Sequence, residues 1–529
     1  MSSQTSLPPG ARNQTDVFAV HGADPEVLAY AMAKYSRSSL SMRESLSEIS
    51  SQRAEQFLNT FYFQYGHRSI ADLAHIAFAV ERLSLLAAIV LVDEQRWDGQ
   101  ERSTRYQNFM KSGWYFPDFG EDADSAHLYS GTVTQLFSTY QRTTSAVLEA
   151  LRHRVPCPDS LKPDAYERTL KARAFDVARY LLPLATNTSL GQIVNARTLE
   201  TQVSRLLSSP MAEIRDLGLK LRDAATGPAW NVSAQSAAAF VEKLQVASPE
   251  LASEAGVLLT REVRTAPTLV KYSEPNAYAL ETQRDLTQAA AELLSGILIA
   301  PAPLVDLVER TETLEVELAA SLLYSAAHHS YRQIRDLVSG LPAARTAEIV
   351  ALGLRHRGRH DEALRAFHAG AALRFDILMD IGGFRDMHRH RRCVQIIQGF
   401  TALHGCEIPD SGDLGPDVNP LAEAGILGEF QAALESAHAA SARIAVGSAP
   451  EASQSALYLL PHATRIRSLF KMDFAEAQYI SELRSGPAGH FSYRRVAWEM
   501  FKALERQHPT LAQHIRVTDF TQPIDLLKR

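Results

Sequence analysis

Leu181-Leu182-Pro183-Leu184-Ala185-Thr186 and Leu459-Leu460-Pro461-His462-Ala463-Thr464 match at five of six positions, 278 residues apart. Each copy is followed by an apolar–arginine step, Ile214-Arg215 in the first case and Tyr493-Arg494 in the second, with Pro-to-Arg intervals of 32 and 33 residues. Upstream, Lys34-Tyr35-Ser36 answers Lys271-Tyr272-Ser273 at an offset of 237, and Tyr65-Gly66-His67-Arg68-Ser69 answers Ala326-Ala327-His328-His329-Ser330 at 261. Four matches in one order, with a slowly growing offset, read as a tandem duplication whose insertions fall mainly in the second copy. The expected division is residues 1–230 and 231–529, with the joint near Gly227-Pro228 to Ser248, where helical periodicity lapses.

Working outward, the chain reads as mostly helical. Apolar spacing of the i, i+3, i+4, i+7 kind marks Phe175 to Leu182, Arg197 to Leu207 and Ala497 to Leu504. Strand candidates are fewer: Val17 to Val20, bounded by Asp16 and Gly22, and His75 to Val80. Asp118 to Asp124 and Ser411 to Pro420 carry turn chemistry. The expected class is α+β, two tandem helix-rich domains with a small antiparallel or mixed sheet in each.

With 529 residues the chain has room for large cores, and 46% hydrophobic with 22% charged residues is globular rather than disordered composition. The 54 basic and 60 acidic residues leave a formal charge of −6, so nothing suggests a polyanion coat and any anion site must be local. Cys157, Cys393 and Cys406 are too scattered for a disulfide framework or a CxxC metal pair, which points to a reducing cytoplasm and to no structural metal. The opening MSSQTSLPPGARNQTD lacks a secretory pattern and no uncharged apolar run of 18 residues follows. The expectation is a soluble cytoplasmic protein with no membrane partner.

Two segments carry candidate chemistry. In Glu101-Arg102-Ser103-Thr104-Arg105-Tyr106, an extended backbone would turn Glu101, Ser103 and Arg105 to one side, offering a hydroxyl and a guanidinium fork to a phosphate or carboxylate. The plain alternative is a solvated loop with a Glu/Arg pair. Arg-His-Arg occurs three times, as Arg152-His153-Arg154, Arg355-His356-Arg357 and Arg389-His390-Arg391. Such triplets are usually solvated faces. The third differs because the apolar Phe375 to Phe384 precedes it and would present Arg389 and Arg391 from a rigid support, ready for a phosphate or pyrophosphate. His390 reads equally as a satisfied histidine in a basic turn. The triplets lack the interleaved aromatics of a single-strand nucleic-acid platform, so no nucleic-acid partner is expected.

These pieces resemble the flavin-dependent thymidylate synthases. The family signature runs Arg-His-Arg-x-x-Ser-x-Asn-Glu-x-Ser-x-Arg-Tyr, preceded by His-x-Ser/Thr-x-x-Glu-His and followed by Leu-Pro, Asn-x-Arg and Ala-Gln-x-Glu-Ile-Arg steps. This chain divides the signature. The first half keeps Glu101 to Tyr106 but has Asp93-Glu94-Gln95 in place of Arg-His-Arg; the second keeps Arg389-His390-Arg391 but has Ile397, Gly399 and Thr401 where Glu, Ser and Arg should stand. Other departures are Asp72 and Leu73 for Glu-His, Val90 or Asp386 for a glutamine before the triplet, and Asp473 and Ala475 for the second Asn-x-Arg.

The resemblance implies flavin contacts for His67 and Ser69, with His328 and Ser330 as their counterparts, for Arg389, His390 and Arg391, and for Asn195 and Arg197. It implies nucleotide contacts for Glu101, Ser103, Arg105 and Arg179, and reading of the uracil ring by Arg494 and Arg215. The implied reaction is reductive methylation of dUMP with FAD as cofactor and NADPH and methylenetetrahydrofolate as co-substrates. Family members are homotetramers with sites between subunits, so a homodimer of two-domain chains imitating that tetramer is expected, with two complete sites. Two other readings stay open: a flavoenzyme for a different pyrimidine nucleotide, and a non-catalytic nucleotide-binding or scaffold homologue.

Overall fold

A computed structural model describes residues 20, 22–34, 42–48, 68–270, 273–309, 312–358, 361, 363–409 and 419–527. Val17 to Ala19, Tyr35, Ser36, His67, Lys271, Tyr272 and residues 411–418 lie outside them.

The first half builds β1 (His75–Ser84), α1 (Leu85–Leu91), β2 (Asp98–Glu101), α2 (Ala123–Arg154), α3 (Pro163–Ala178), β3 (Asn187–Asn195), α4 (Ala196–Leu207) and α5 (Ala212–Thr226). A helical pair, α6 (Ala234–Ala247) and α7 (Pro249–Leu259), follows. The second half adds β4 (Val305–Leu307), β5 (Leu373–Asp380), α8 (Ile381–Met387), β6 (Val394–Ile397), α9 (Leu427–Ala445), β7 (Arg465–Met472), α10 (Phe474–Ser485) and α11 (Phe491–Gln507). The sheets run β1-β3-β2 and β4-β5-β7-β6. The fold is therefore α+β with two small sheets, one per copy.

Duplication is visible in the register. β2 pairs antiparallel with β3 from Asp98↔Ile193 to Glu101↔Leu190, and β6 repeats this on β7 from Val394↔Lys471 to Ile397↔Ser468. Both copies then turn from a strand into a short helix at a capping side chain. Ser84 Oγ accepts from Ala87 N at 2.9 Å, and Asp380 Oδ1 accepts from Gly383 N at 2.6 Å. The partner of each cap is chemically swapped: Ser84 Oγ donates to Glu213 Oε2 at 2.7 Å, whereas Ser492 Oγ donates to the Asp380 carboxylate.

The chain forms two compact units interleaved along the sequence. The first comprises residues 1–76, 195–197 and 222–272. In it the buried Glu26 carboxylate accepts from Thr268 N at 3.0 Å and Leu269 N at 2.8 Å, and Asp72 pairs with Arg197 at 3.2 Å. Where periodicity was expected to lapse, the structure has α6. Its alanine-rich run, Ala234-Gln235-Ser236-Ala237-Ala238-Ala239, is helical by backbone propensity and does not need a buried stripe. Phe240 and Val246 are exposed on it, and Val257 and Leu258 on α7.

The second unit, residues 77–194, 198–221 and 273–529, holds both sheets' chemistry. At its centre the two hexapeptides pair with each other. Leu184 N donates to Leu460 O at 2.9 Å and Ala185 N to Tyr458 O at 2.8 Å, and reciprocally His462 N donates to Leu182 O at 2.9 Å and Ala463 N to Tyr180 O at 3.0 Å. Pro183 and Pro461 face each other at the crossing. Around them Leu181, Leu182, Leu459 and Leu460 are buried, and α2 packs along α9.

The expected strand at His75 to Val80 runs on to Ser84, and the helical stretches fall in α3, α4 and α11, with Arg179 to Leu181 tightening into a 3₁₀ turn. Phe375 to Phe384 is not one element: it is strand to Asp380 and helix from Ile381. Asp118 to Asp122 is turn, and Asp122 caps α2. Among the described residues no helix is long and apolar enough to cross a membrane, and no group of three or more metal-ligating side chains occurs.

Two outcomes test this packing. Leu460→Ala, at a fully buried position in the crossing, should lower stability by about 2–5 kcal/mol in urea unfolding. Gly383→Ala sets a methyl 2.5 Å from Ser492 Oγ and 2.8 Å from Met379 Cε, so it should lower stability by about 1–3 kcal/mol, whereas Gly131→Ala, which meets nothing within 4 Å, should not lower it.

Candidate functional site

Strand β2 ends at Glu101 and the chain turns at Thr104 to Tyr106, so the alternating face expected for Glu101, Ser103 and Arg105 does not form. Ser103 Oγ accepts from Arg105 N at 3.2 Å, the side-chain-to-backbone bond by which serine draws a chain into a turn. The turn still buries Glu101 and Arg105, and delivers them to different partners.

Arg105 makes a two-pronged contact with Asp176 of α3, Nε–Oδ1 at 2.7 Å and Nη2–Oδ2 at 3.1 Å. Its Nη1 donates to the Tyr493 hydroxyl at 2.8 Å. Burial alone would lower the Arg105 pKa, but the Asp176 carboxylate outweighs it and raises it. Glu101 is paired with buried Arg385 of α8. Thus a segment of the first half is fastened to α8 and α11 of the second, inside one compact unit.

The link continues to the third Arg-His-Arg. Asp386, on α8, lies 3.5 Å from Arg179 Nη1 and 3.7 Å from Arg389 Nη2. Burial would raise the Asp386 pKa; Arg179, Arg389, Arg105 and Arg484 outweigh it and hold it below the usual carboxylate range. Tyr493 is sandwiched electrostatically, with Arg105 at 5.6 Å and Arg484 at 5.4 Å from its ring centroid. Four guanidiniums thus gather against the two carboxylates Asp176 and Asp386, a surplus of positive charge suited to a phosphate.

The members of the triplet are placed differently. Arg389 is half-exposed. His390 Nε2 accepts from Arg484 Nε at 2.8 Å while Nδ1 faces Glu476 at 3.5 Å, and burial keeps its pKa low, so it is a neutral ring held in one tautomer. Arg391 lies 5.0 Å from the Trp97 ring centroid and donates through Nη1 to the carbonyls of Val92 and, at 2.8 Å, Glu94. The other two triplets are surface features: Arg152 pairs with Glu149 and Glu167, and Arg355 and His356 pair with Asp285.

Arg179 is 2% exposed, and its Nε and Nη2 have no hydrogen-bond partner among the described residues. Buried His462 is likewise without a partner at either ring nitrogen; burial first, then Arg385 and Arg179, push its pKa well down. Asp380 is pushed up to about 6 by burial, although Arg179 and the Ser492 and Gly383 hydrogen bonds pull the other way. Donors buried without acceptors cost free energy, and an anionic ligand would satisfy them.

The remaining expected residues are not in this cluster. Arg494 is buried on α11, donating to Ser485 O at 3.2 Å, one residue from Tyr493. Arg215 on α5 pairs with Glu451 at 2.6 Å. Asn195 and Arg197 belong to the first unit. Ser69 sits in a 3₁₀ turn, Arg68–Leu73, and His67 lies outside the described residues. Ser330 caps the helix Tyr331–Ser339, and the His328 ring lies 6.1 Å from that of His404. The sequence gives no functional role to Asp176, Arg385, Asp386, His462 or Tyr493, although Asp176 and Arg385 each stand within one helical turn of a candidate, Arg179 and Arg389.

The UPF0159 protein of Chlamydia pneumoniae is 26% identical over 550 aligned positions, covering 97% of this chain and 93% of that protein. A flavin-dependent thymidylate synthase of Clostridium tetani is 23% identical over 177 residues, 33% of this chain and 67% of its own length. Among solved structures, the UMP/dUMP methylase PolB of Streptomyces cacaoi bound with 5-Br UMP aligns at 17% identity and a TM-score of 0.27, over 39% of this chain and 86% of that one. The profile of Thy1, thymidylate synthase complementing protein, matches residues 19–226 and again 306–510, well over half of the sequence. With the repeated strand register and both matched segments, the chain belongs to the Thy1 family and carries that family's domain twice in tandem.

Proposed function

We propose that this chain is a flavin-dependent thymidylate synthase-type methyltransferase, binding FAD and a pyrimidine nucleotide, dUMP, and using NADPH and methylenetetrahydrofolate for reductive methylation at C5. The observation that carries this reading is the meeting of the Glu101–Arg105 turn and the Arg389–Arg391 loop around Asp386, with Arg179 buried beside it and short of acceptors. The donor set fits the groups required. Arg179, with Ser103, suits the nucleotide phosphate, and Arg105, held by Asp176 and Tyr493, adds its charge; Arg389 and Arg391, whose Nη2 is also without a partner among the described residues, suit the flavin pyrophosphate.

In this mechanism bound FAD supplies hydride chemistry that no side chain can provide. The chain's own residues bind and orient. Phosphate binding at Arg179 anchors the nucleotide at one end and fixes where its ring lies. To Arg494, one residue along α11 from Tyr493, we assign stabilisation of negative charge developing on the pyrimidine. Neutral His390 takes up Arg484 with Nε2 and faces Glu476 with Nδ1, so its part is to hold Arg484 in place. A cysteine nucleophile has no place here: burial pushes the Cys393 thiol up to about 12 and Cys406 up to about 11, so both stay protonated near pH 7. The assembly proposed is a homodimer imitating a tetramer.

Purified protein should be yellow, with a flavin absorbance band and NADPH oxidation accelerated by dUMP; a colourless protein that oxidises no NADPH overturns the reading. Arg179→Met should weaken dUMP binding at least about tenfold, roughly 1.4 kcal/mol, in calorimetric titration. A third outcome concerns pH. The folded-state pKa of Asp386 is depressed below its unfolded value of about 3.9, so its contribution is complete above about pH 4 and is lost as pH falls through the folded value. The melting-temperature difference between the parent and Asp386→Asn should be constant from pH 5 to 7 and shrink below pH 4.

A further inference from the structure

The two copies present the same loop twice. Asp93-Glu94-Gln95 follows α1 and precedes β2, as Arg389-His390-Arg391 follows α8 and precedes β6, and the offset of 296 residues is the same from the helix caps Ser84 and Asp380 to the strands. One loop is acidic and the other basic. Resting on the function proposed above, we infer that each chain binds one nucleotide and one flavin rather than two, because the repeat-related position is closed by an ion-pair lock centred on Asp93.

The lock uses side chains from both halves. Arg365, in the short 3₁₀ turn Arg365–Phe367 of the second half, pairs with Asp93 Oδ1 at 2.6 Å and donates to Asp93 O at 3.1 Å and Gln395 O at 3.2 Å. His388 Nε2 approaches Asp93 at 3.2 Å. Burial would raise the Asp93 pKa, but Arg365 and His388 outweigh it and keep the carboxylate ionised. Glu94 is held by Arg205 at 2.8 Å. Asp93 and Glu94 stand where the second copy has arginine and histidine, and Arg365 and Arg205 are taken up by them, so this loop offers a pyrophosphate no cation of its own.

The rest of the related cradle is equally disarmed. Ile397, Gly399, Thr401 and Leu457 stand where the first half has Glu101, Ser103, Arg105 and Arg179. Buried Arg467 is bound to Asp376 at 2.9 Å through Nη1, and His404 is held down to about 4 by burial, then by Arg467, His328 and Arg465. No arginine stands at any of the four positions, so a phosphate there lacks the guanidiniums that the first copy supplies.

Equilibrium dialysis of the full chain with dUMP, together with flavin quantified from its released absorbance, should give one of each per chain. Two equivalents, or a second saturating step, overturns the inference; no binding overturns the function on which it rests. The lock is checked separately by a cycle of Asp93→Asn, Arg365→Met and the double variant. Each single substitution should lower the melting temperature by about 2 °C and the double by no more than one of them, with the flavin-to-chain ratio unchanged. Single variants that melt with the parent, or singles whose effects simply add, show that Asp93 and Arg365 lock nothing.

Discussion

Four reciprocal main-chain hydrogen bonds across Pro183 and Pro461 set the terms for everything else in the second compact unit. Buried peptide groups must find partners, and here each hexapeptide supplies the other's. The prolines, which lack an N–H, sit opposite each other where no donor is demanded. The same strip of backbone places the chemistry. Arg179 immediately precedes it in one copy, His462 lies within it in the other, and Gly382 N donates to His462 O at 3.1 Å. The distance from Arg179 to α8 is therefore fixed by hydrogen-bond register rather than by the flexible side chain alone.

Onto this frame the molecule places an unusual amount of buried charge. Arg105 with Asp176, Arg385 with Glu101 and Arg179 with Asp386 are all drawn out of water. Such pairs do little for net stability, because desolvation consumes most of the Coulombic gain, yet removing one member strands the other at a cost of about 3–5 kcal/mol. Their value is positional: Glu101 is held by Arg385 and Arg179 by Asp386, both of the other copy, so the two copies cannot slide without breaking both.

Much of this was legible in the chain. The repeated hexapeptide, the split of Arg-His-Arg from Glu-x-Ser-x-Arg-Tyr, and the strand at His75 to Val80 are local patterns, and local patterns survive reading in one dimension. What escaped was of two kinds. Asp176 and Tyr493 matter through what lies across the fold, 71 residues away for Arg105–Asp176 and 388 for Arg105–Tyr493, and no spacing rule reports such pairs. Helix α6 escaped because its inward stripe, Ala237, Val241 and Leu244, is set among exposed Phe240 and Val246, which blurs the contrast that periodicity detects, and the turn at Thr104 escaped because the Ser103 hydroxyl overrides the strand alternation.

The acidic loop set against a basic one has a further meaning. About a true two-fold axis formed by identical subunits, equivalent loops are spelled identically, so a basic loop there would confront a basic loop and an acidic one its own kind. Writing both copies into one polypeptide lifts that restriction, and Arg391 reaches the carbonyls of Val92 and Glu94 on a differently spelled neighbour. Heredity then becomes one-way: each half has grown dependent on a partner it no longer resembles, and self-pairing of either half would bring like charges together where the fused chain sets opposite ones.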